Sequence, residues 1–332
     1  MKHLSIQSIS ALLTLIVLGA ISCQLVELDD DDEGICICLP PPPYQEFPRW
    51  SPNGQTILFY HYGLQLYDPV NGTSIHDPDS SGIWIMDSDG GNQRKILNAS
   101  YADWSPDGKW IVYESAAQIF KARFNGKTID TTSITRLTFE GRNFFPDWSS
   151  DGKWIAYDNT NCGSSNEPVP ENSCGILIID ETGLSNEFLV RGRMPNWSPN
   201  HERLVYTGLE NEVYRINLST KSEIRLTFSN QSDSHLVDNR YPNYSPNGKV
   251  IAYSSNVHIW TMKENGKNLT QLTFDERGTM PDWSPDGEHI VYSGPTGSIW
   301  VMKKDGSNQR PLTIRPEGKI DSTNYQYEKN LY

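Results

Sequence analysis

The chain has 332 residues and carries 28 Lys and Arg against 41 Asp and Glu, a formal net charge of −13. That balance excludes a chain-wide electrostatic footprint for nucleic acid. Abundant Trp, Tyr, Gly and Pro, with no long run of apolar residues at helical spacing, point to one large all-β or repeat domain rather than a helical one. In chain order, the first element is an address. Lys2 and His3 precede an apolar run from Ile9 to Ile21 that ends in Ser22 and Cys23. A short basic head, an apolar core and small residues predict a secretory signal over 1–22. The run is shorter than the ~20 apolar residues that a membrane span needs.

The ending "LGAISC" resembles a bacterial lipobox, in which the Cys is acylated and becomes the new N-terminus. The resemblance implies lipidation at Cys23, although Ala20 stands where Leu is usual. Residues 23–46 then read as a tether. "ELDDDDEG" carries too much charge to pack and is expected to be solvated, and Pro40 to Pro43 stiffen the next part of the tether. The acidic run resembles the export signal of some Bacteroidetes lipoproteins, and it also reads as a solubilising linker. Cys36 and Cys38 are expected to be free or mutually bonded thiols. Further on, Cys162 and Cys174 bracket a polar loop between two apolar strands. An exported chain permits a disulfide there, worth ~2–4 kcal/mol on the loop-closure argument.

From residue 47 to 314 one unit recurs. "RWSPNGQTILFY", "DWSPDGKWIVY", "DWSSDGKWIAY", "NWSPNHERLVY", "NYSPNGKVIAY" and "DWSPDGEHIVY" each read as a strand, a tight turn and a strand. Pro presets φ, Asp or Asn tolerates the next position, and Gly accepts positive φ. In the fourth copy His201 replaces that Gly and must take the same conformation. A third strand such as "HIWTMKENG" and a fourth such as "LTQLTF" follow each copy. Asp-Gly or Asn-Gly between them is a hairpin signal. A four-stranded unit recurring at this length is a propeller blade. The prediction is an all-β, six-bladed β-propeller, with residues 315–332 as a tail. Trp50, Trp104, Trp148, Trp197, Tyr244 and Trp283 occupy one position of the unit, so they are read as packing between blades.

The pattern P-x-W-S-P-D-G-x-x-I-x-Y, then I-W-x-M-x-x-D-G and x-L-T, resembles the WD-like propeller repeats of TolB-type proteins. The resemblance covers residues 48 to about 314. TolB proteins carry an additional N-terminal α/β domain where this chain has tether.

Function has to come from the faces. Strands alternate direction, so the first-to-second and third-to-fourth turns share one face, and they are tight. The other face takes the long, uneven connections, where binding on a rigid scaffold concentrates. The segments entering each first strand bring Arg142, Arg191, Arg193, Arg240 and Arg277 to that mouth, with Arg49 beside them. Phe144, Phe145, Met194, Tyr241 and Met280 lie among them. Arg with aromatics is the composition of a recognition site. These arginines could equally pair with Asp103, Asp147 and Asp282 and close the channel. There is no Gly-x-Ser-x-Gly elbow and no His-Glu-x-x-His pair. The sequence therefore predicts no catalytic residue, metal or cofactor. It predicts a non-enzymatic lipoprotein of the bacterial envelope, periplasmic or surface-exposed. Its partner would be an envelope protein, peptide or glycan, with anionic character suggested by the arginines. Its only membrane contact would be the lipid. The alternative is an envelope lyase or hydrolase acting on carbohydrate.

Overall fold

The structure is a computed structural model. It describes residues 22–26, 35–39, 44–68, 73–160, 174–228, 238–274 and 277–313. Residues 1–21 of the expected signal segment and the expected tail lie outside these residues.

Six four-stranded antiparallel sheets follow one another along the chain. Blades 1 to 6 run from Tyr44 to Leu97, Ser100 to Arg136, Asn143 to Val190, Arg193 to Arg225, Asn239 to Gln271 and Thr279 to Pro311. The first strands of successive blades touch one another all the way round, and Thr279–Trp283 returns to touch Tyr44–Trp50. The fold is a six-bladed β-propeller, as the repeat predicts. Its first strand begins at Tyr44, three residues before the expected boundary. The described residues contain no α-helix, only a single 3-10 turn at Pro295–Gly297. None of their helices is long and apolar enough to cross a membrane.

The turn motif is explained by its hydrogen bonds. In every copy the Ser hydroxyl donates to the Asx side chain two residues on, as Ser105 Oγ does to Asp107 Oδ1 at 2.7 Å and Ser198 Oγ to Asn200 Oδ1 at 2.7 Å. The same oxygen accepts the amide five residues on, as from Trp110 N at 2.9 Å. The Gly amide closes the turn onto the Ser carbonyl, as Gly108 N does to Ser105 O at 2.9 Å. His201 makes that closure with φ +49°, so it does adopt the left-handed conformation expected of it. The Asx residues are turn formers, as the sequence suggested.

Packing follows the repeat as well. Between blades 2 and 3, Val112, Ile119 and Leu137 meet Trp148, Ile155, Tyr157 and Ile179. Five further interfaces repeat this arrangement. The aromatic anchors therefore pack between blades. The Leu-Thr of the fourth strand has two uses. Leu137, Leu226, Leu272 and Leu312 are buried in these clusters. Thr138, Thr227, Thr273 and Thr313 accept the amide that opens the third strand, at 2.8–2.9 Å.

A separate small unit comprises two hairpins. Ser22–Val26 pairs with Ile35–Leu39, with Cys23 opposite Cys38, inside the segment expected as tether. Leu64–Asp68 pairs with Thr73–His76, within one of the long connections expected between second and third strands. Period-two alternation across six residues or fewer is too weak a signal to separate such hairpins from loop.

Candidate functional site

Each first strand carries an irregularity that the sequence reading missed. Its register with the second strand shifts just before the aromatic anchor, between Glu46 and Arg49, Phe144 and Asp147, Arg193 and Asn196, Arg240 and Asn243, and Thr279 and Asp282. Blade 2 shows the same shift. These are β-bulges, and in five of the six blades a Pro, which has no amide to give the ladder, sits there. One residue per bulge takes the left-handed conformation. They are Phe47, Tyr101, Phe145, Met194, Tyr241 and Met280, with φ from +46° to +56°. None is Gly, and each costs about 1–2 kcal/mol of backbone strain.

The bulge turns these six side chains to the axis, where they meet. The Phe47 ring lies 4.7 Å from Tyr101, 5.3 Å from Phe145 and 5.7 Å from Tyr241, rings from three other blades. Tyr101 and Phe145 are 4.3 Å apart. The space left among Phe47, Arg49, Phe145, Met194, Tyr241 and Met280 is about 20 Å³, little more than one water. The channel is plugged. Phe145, Met194, Tyr241 and Met280, expected to line a mouth, form the plug.

On the turn side of the plug lies a polar ring, formed by the residue preceding each anchor: Arg49, Asp103, Asp147, Asn196, Asn243 and Asp282. Its side chains stitch neighbouring blades. Trp148 N donates to Asp103 Oδ2 at 2.8 Å, Trp197 N to Asp147 Oδ2 at 2.7 Å, Tyr244 N to Asn196 Oδ1 at 2.8 Å and Trp50 N to Asp282 Oδ2 at 2.7 Å. Arg49 Nη1 lies 3.7 Å from Asp282 Oδ1. Burial, then the charge of Asp103, push Asp147 up to about 8. Burial pushes Asp282 up to about 6 against the pull of Arg49, and raises Asp103 above the usual carboxylate range. Burial would lower the Arg49 guanidinium, but Asp282, Asp103 and Asp147 raise it. Arg49 is thus the cation that answers the ring aspartates, a role the sequence offered to all six entry arginines.

The other five arginines have different surroundings. Arg193 Nη2 donates to Asn211 Oδ1 at 3.0 Å. Arg240 pairs with Asp238 of its own entry segment. Arg142 is exposed, with its guanidinium 5.9 Å from the Phe144 ring. Arg191 and Arg277 are exposed too, and neither they nor Arg142 has an acidic partner among the described residues. The same face holds a feature that sequence reasoning passed over. The Phe after Leu-Thr is exposed in three blades: Phe139 by 69%, Phe228 by 73% and Phe274 by 66%. Arg136 lies 4.9 Å from the Phe139 ring and Arg225 5.1 Å from Phe228. The recurring "LTF" was the available signal, and it was absorbed into the strand pattern.

Cys174 is disulfide-bonded. Its expected partner Cys162 lies outside the described residues. So does any side-chain account of Cys23, Cys36 and Cys38.

No protein-family model matches the chain. An uncharacterised protein of Agrobacterium fabrum is 26% identical over 291 residues, 74% of this chain and 83% of that one. Among solved structures, a protein described as TolB from Agrobacterium tumefaciens superposes with a TM-score of 0.55 at 20% identity, covering 69% of this chain and 84% of that chain. TolB from Acinetobacter baumannii gives 0.53 at 18% identity, covering 78% and 76%. The fold is that of a TolB-like propeller. The scaffold also appears in an enzyme: an oligogalacturonate lyase in complex with manganese gives 0.51 at 12% identity, covering 87% and 83%.

Proposed function

We propose that this propeller is a non-enzymatic, lipid-anchored protein of the bacterial envelope that binds a protein, peptide or glycan partner on the face where the first strands enter. One observation carries the reading. That face presents Arg142, Arg191 and Arg277 without acidic partners among the described residues, together with Phe139, Phe228 and Phe274 exposed at its rim. Guanidinium and aromatic groups left uncovered together are what interface anchors look like before binding. The plug adds a constraint: the partner docks across the face and does not thread the channel.

Lipidation of Cys23 and an envelope location rest on the N-terminal sequence, and the likeness to TolB structures agrees with that setting. The carbohydrate-active alternative has the lyase's shared scaffold in its favour. The described residues contain no group of three His, Cys, Asp or Glu placed to hold a metal.

The test is capture from envelope extract by wild type and by a variant with Arg142, Arg191 and Arg277 all changed to Ala. Loss of the captured partner, with a flatter salt dependence for the variant, supports the reading. Equal capture by both proteins removes it. Turnover of an envelope polysaccharide by the purified protein would favour the enzyme.

A further inference from the structure

The opposite face holds a cleft of about 570 Å³ where blade 6 meets blade 1. The residues at this place differ from interface to interface. At two other interfaces an ion pair fills this place. Lys121 of blade 2 reaches Glu181 of blade 3 at 2.6 Å, and Arg203 of blade 4 reaches Glu264 of blade 5 at 2.8 Å, with Arg215 at 3.6 Å from the same carboxylate. The acid is the residue after the third strand, whose amide donates to the residue before the second strand. Glu181 N bonds Lys153 O and Glu264 N bonds Lys249 O. In blade 1 that position is Ser88, whose amide bonds Gln55 O. The basic position of the third strand, Lys121 or Arg215, is Val301 in blade 6, as the pairings Val112 with Lys121, Val205 with Arg215 and Val291 with Val301 show. Where Arg203 stands in blade 4, blade 6 has His289. Three further interfaces lack this ion pair but place Ile85 and Phe124, Ile178 and Leu218, or Thr261 and Lys304 there, whereas the blade 6 to blade 1 interface has only Val301 and the short Ser88.

The walls are functional in character. Trp50, buried less completely than Trp104, Trp148, Trp197 and Trp283, lines the cleft from blade 1 with Asn53 and Ser88. Asp286, His289 and Arg310 line it from blade 6. Arg310 is the counterpart of Arg94, since each pairs with the same third-strand position. Arg94 donates from Nε to the Lys127 carbonyl of the next blade at 3.2 Å, whereas Arg310 and the His289 ring have no hydrogen-bond partner among the described residues. Asp286 accepts the Ser284 hydroxyl and the Glu288 amide through Oδ1 at 2.5 and 2.9 Å, which leaves Oδ2 to the cleft, and its charge acts on the His289 ring. The cleft thus offers an indole, a guanidinium without a hydrogen-bond partner among the described residues, an imidazole, a carboxylate, and amide and hydroxyl groups. Its volume falls within the ~300–1,000 Å³ usual for small-ligand sites.

We infer that this cleft is a second binding site, which takes an acidic sugar. The pyranose ring packs against Trp50, its hydroxyls meet Asn53, Ser88 and Asp286, and its carboxylate pairs with Arg310 and His289. Arg answers a carboxylate with two parallel donors. Trp50, Pro52, Pro285 and Val301 give the apolar surface that a pyranose face needs, and Arg310 supplies the positive charge beside the Asp286 carboxylate.

Titration calorimetry on the mature chain tests this with uronate trisaccharides, trimannuronate and trigalacturonate, against the neutral mannotriose. At least one uronate is expected to bind, at least about tenfold more tightly than mannotriose. Arg310→Ala should weaken it by a similar factor. The double variant Ser88→Glu with Val301→Arg rebuilds the bridge found between blades 4 and 5, and it should abolish binding. Arg310 is exposed, so Arg310→Ala tests the site even if the double variant does not fold. The Arg142, Arg191 and Arg277 variant should bind the uronate unchanged, which separates this site from the proposed docking face. No binding of either uronate, equal binding of mannotriose, or binding that is indifferent to Arg310→Ala each overturns the inference.

Discussion

Asp158 shows what a single buried group costs in this fold. It lies near the end of the second strand of blade 3, and its Oδ2 accepts the amide of Met194, the bulge residue of blade 4, at 3.2 Å. Its Oδ1 is buried without a partner. Burial pushes the carboxyl up to about 7, and the Met194 hydrogen bond and the charge of Arg193 only partly offset that. A carboxyl whose pKa is raised on folding binds its proton more tightly in the folded state. Stability is therefore full below the unfolded value of about 4 and falls as pH rises toward 7. Asp147 and Glu46, raised to about 8 and about 7, act in the same direction. Asp158→Asn keeps an acceptor for the Met194 amide and removes the titration. Its melting temperature should fall less than that of wild type between pH 5 and 8. An identical decline in the two proteins would show that Asp158 is already charged at pH 5 in the folded state and that its pKa is not raised on folding.

At the scale of the element, the turn and the anchor carry separate costs. Ser105→Ala removes an acceptor from Trp110 N and a donor to Asp107, and should cost about 1–2 kcal/mol in urea denaturation. Trp148→Ala empties the space between blades 2 and 3 and should cost about 3–5 kcal/mol in the same assay. If Ser105→Ala proves as damaging as Trp148→Ala, the turn and not the interface limits the stability of a blade. Both elements were legible because they repeat: a residue type recurring at one position of six units reports a shared structural duty. The bulges repeat as well, and Phe47, Phe145, Met194, Tyr241 and Met280 each precede a Pro. The sequence signal was present there. Its meaning was hidden because a bulge is a relation between two strands and turns a side chain that alternation would aim elsewhere.

For the whole propeller, closure depends on side chains of the first and last blades. Every blade is built from one contiguous stretch of chain, so no strand from the N-terminal side completes the last blade. The ring is closed by side chains: Asp282 on the amide of Trp50, Arg49 beside Asp282, the Thr313 hydroxyl on Gln45, and Leu312 among Ile57, Phe59 and Met86. The cleft lies at this same seam. Asp282→Ala should leave Trp50 N and Arg49 without their acceptor. Hydrogen exchange should then quicken first in Tyr44–Trp50 and Thr279–Trp283, before the strands of blade 3. Uniform quickening across all blades would mean that the ring opens as one unit.

The sequence by itself determined the six blades, their turns and their anchors, because those depend on local propensity and on a period that any single copy displays. It also placed the entry arginines on one face, since strand alternation settles that without coordinates. It could not say which arginine meets the ring aspartates, that the bulge residues fill the axis, or that the seam between blades 6 and 1 is left unbridged. Each of these compares residues on different blades, and the ring geometry alone brings them together. Arg49 and Asp282 are 233 positions apart in the chain and 3.7 Å apart in space.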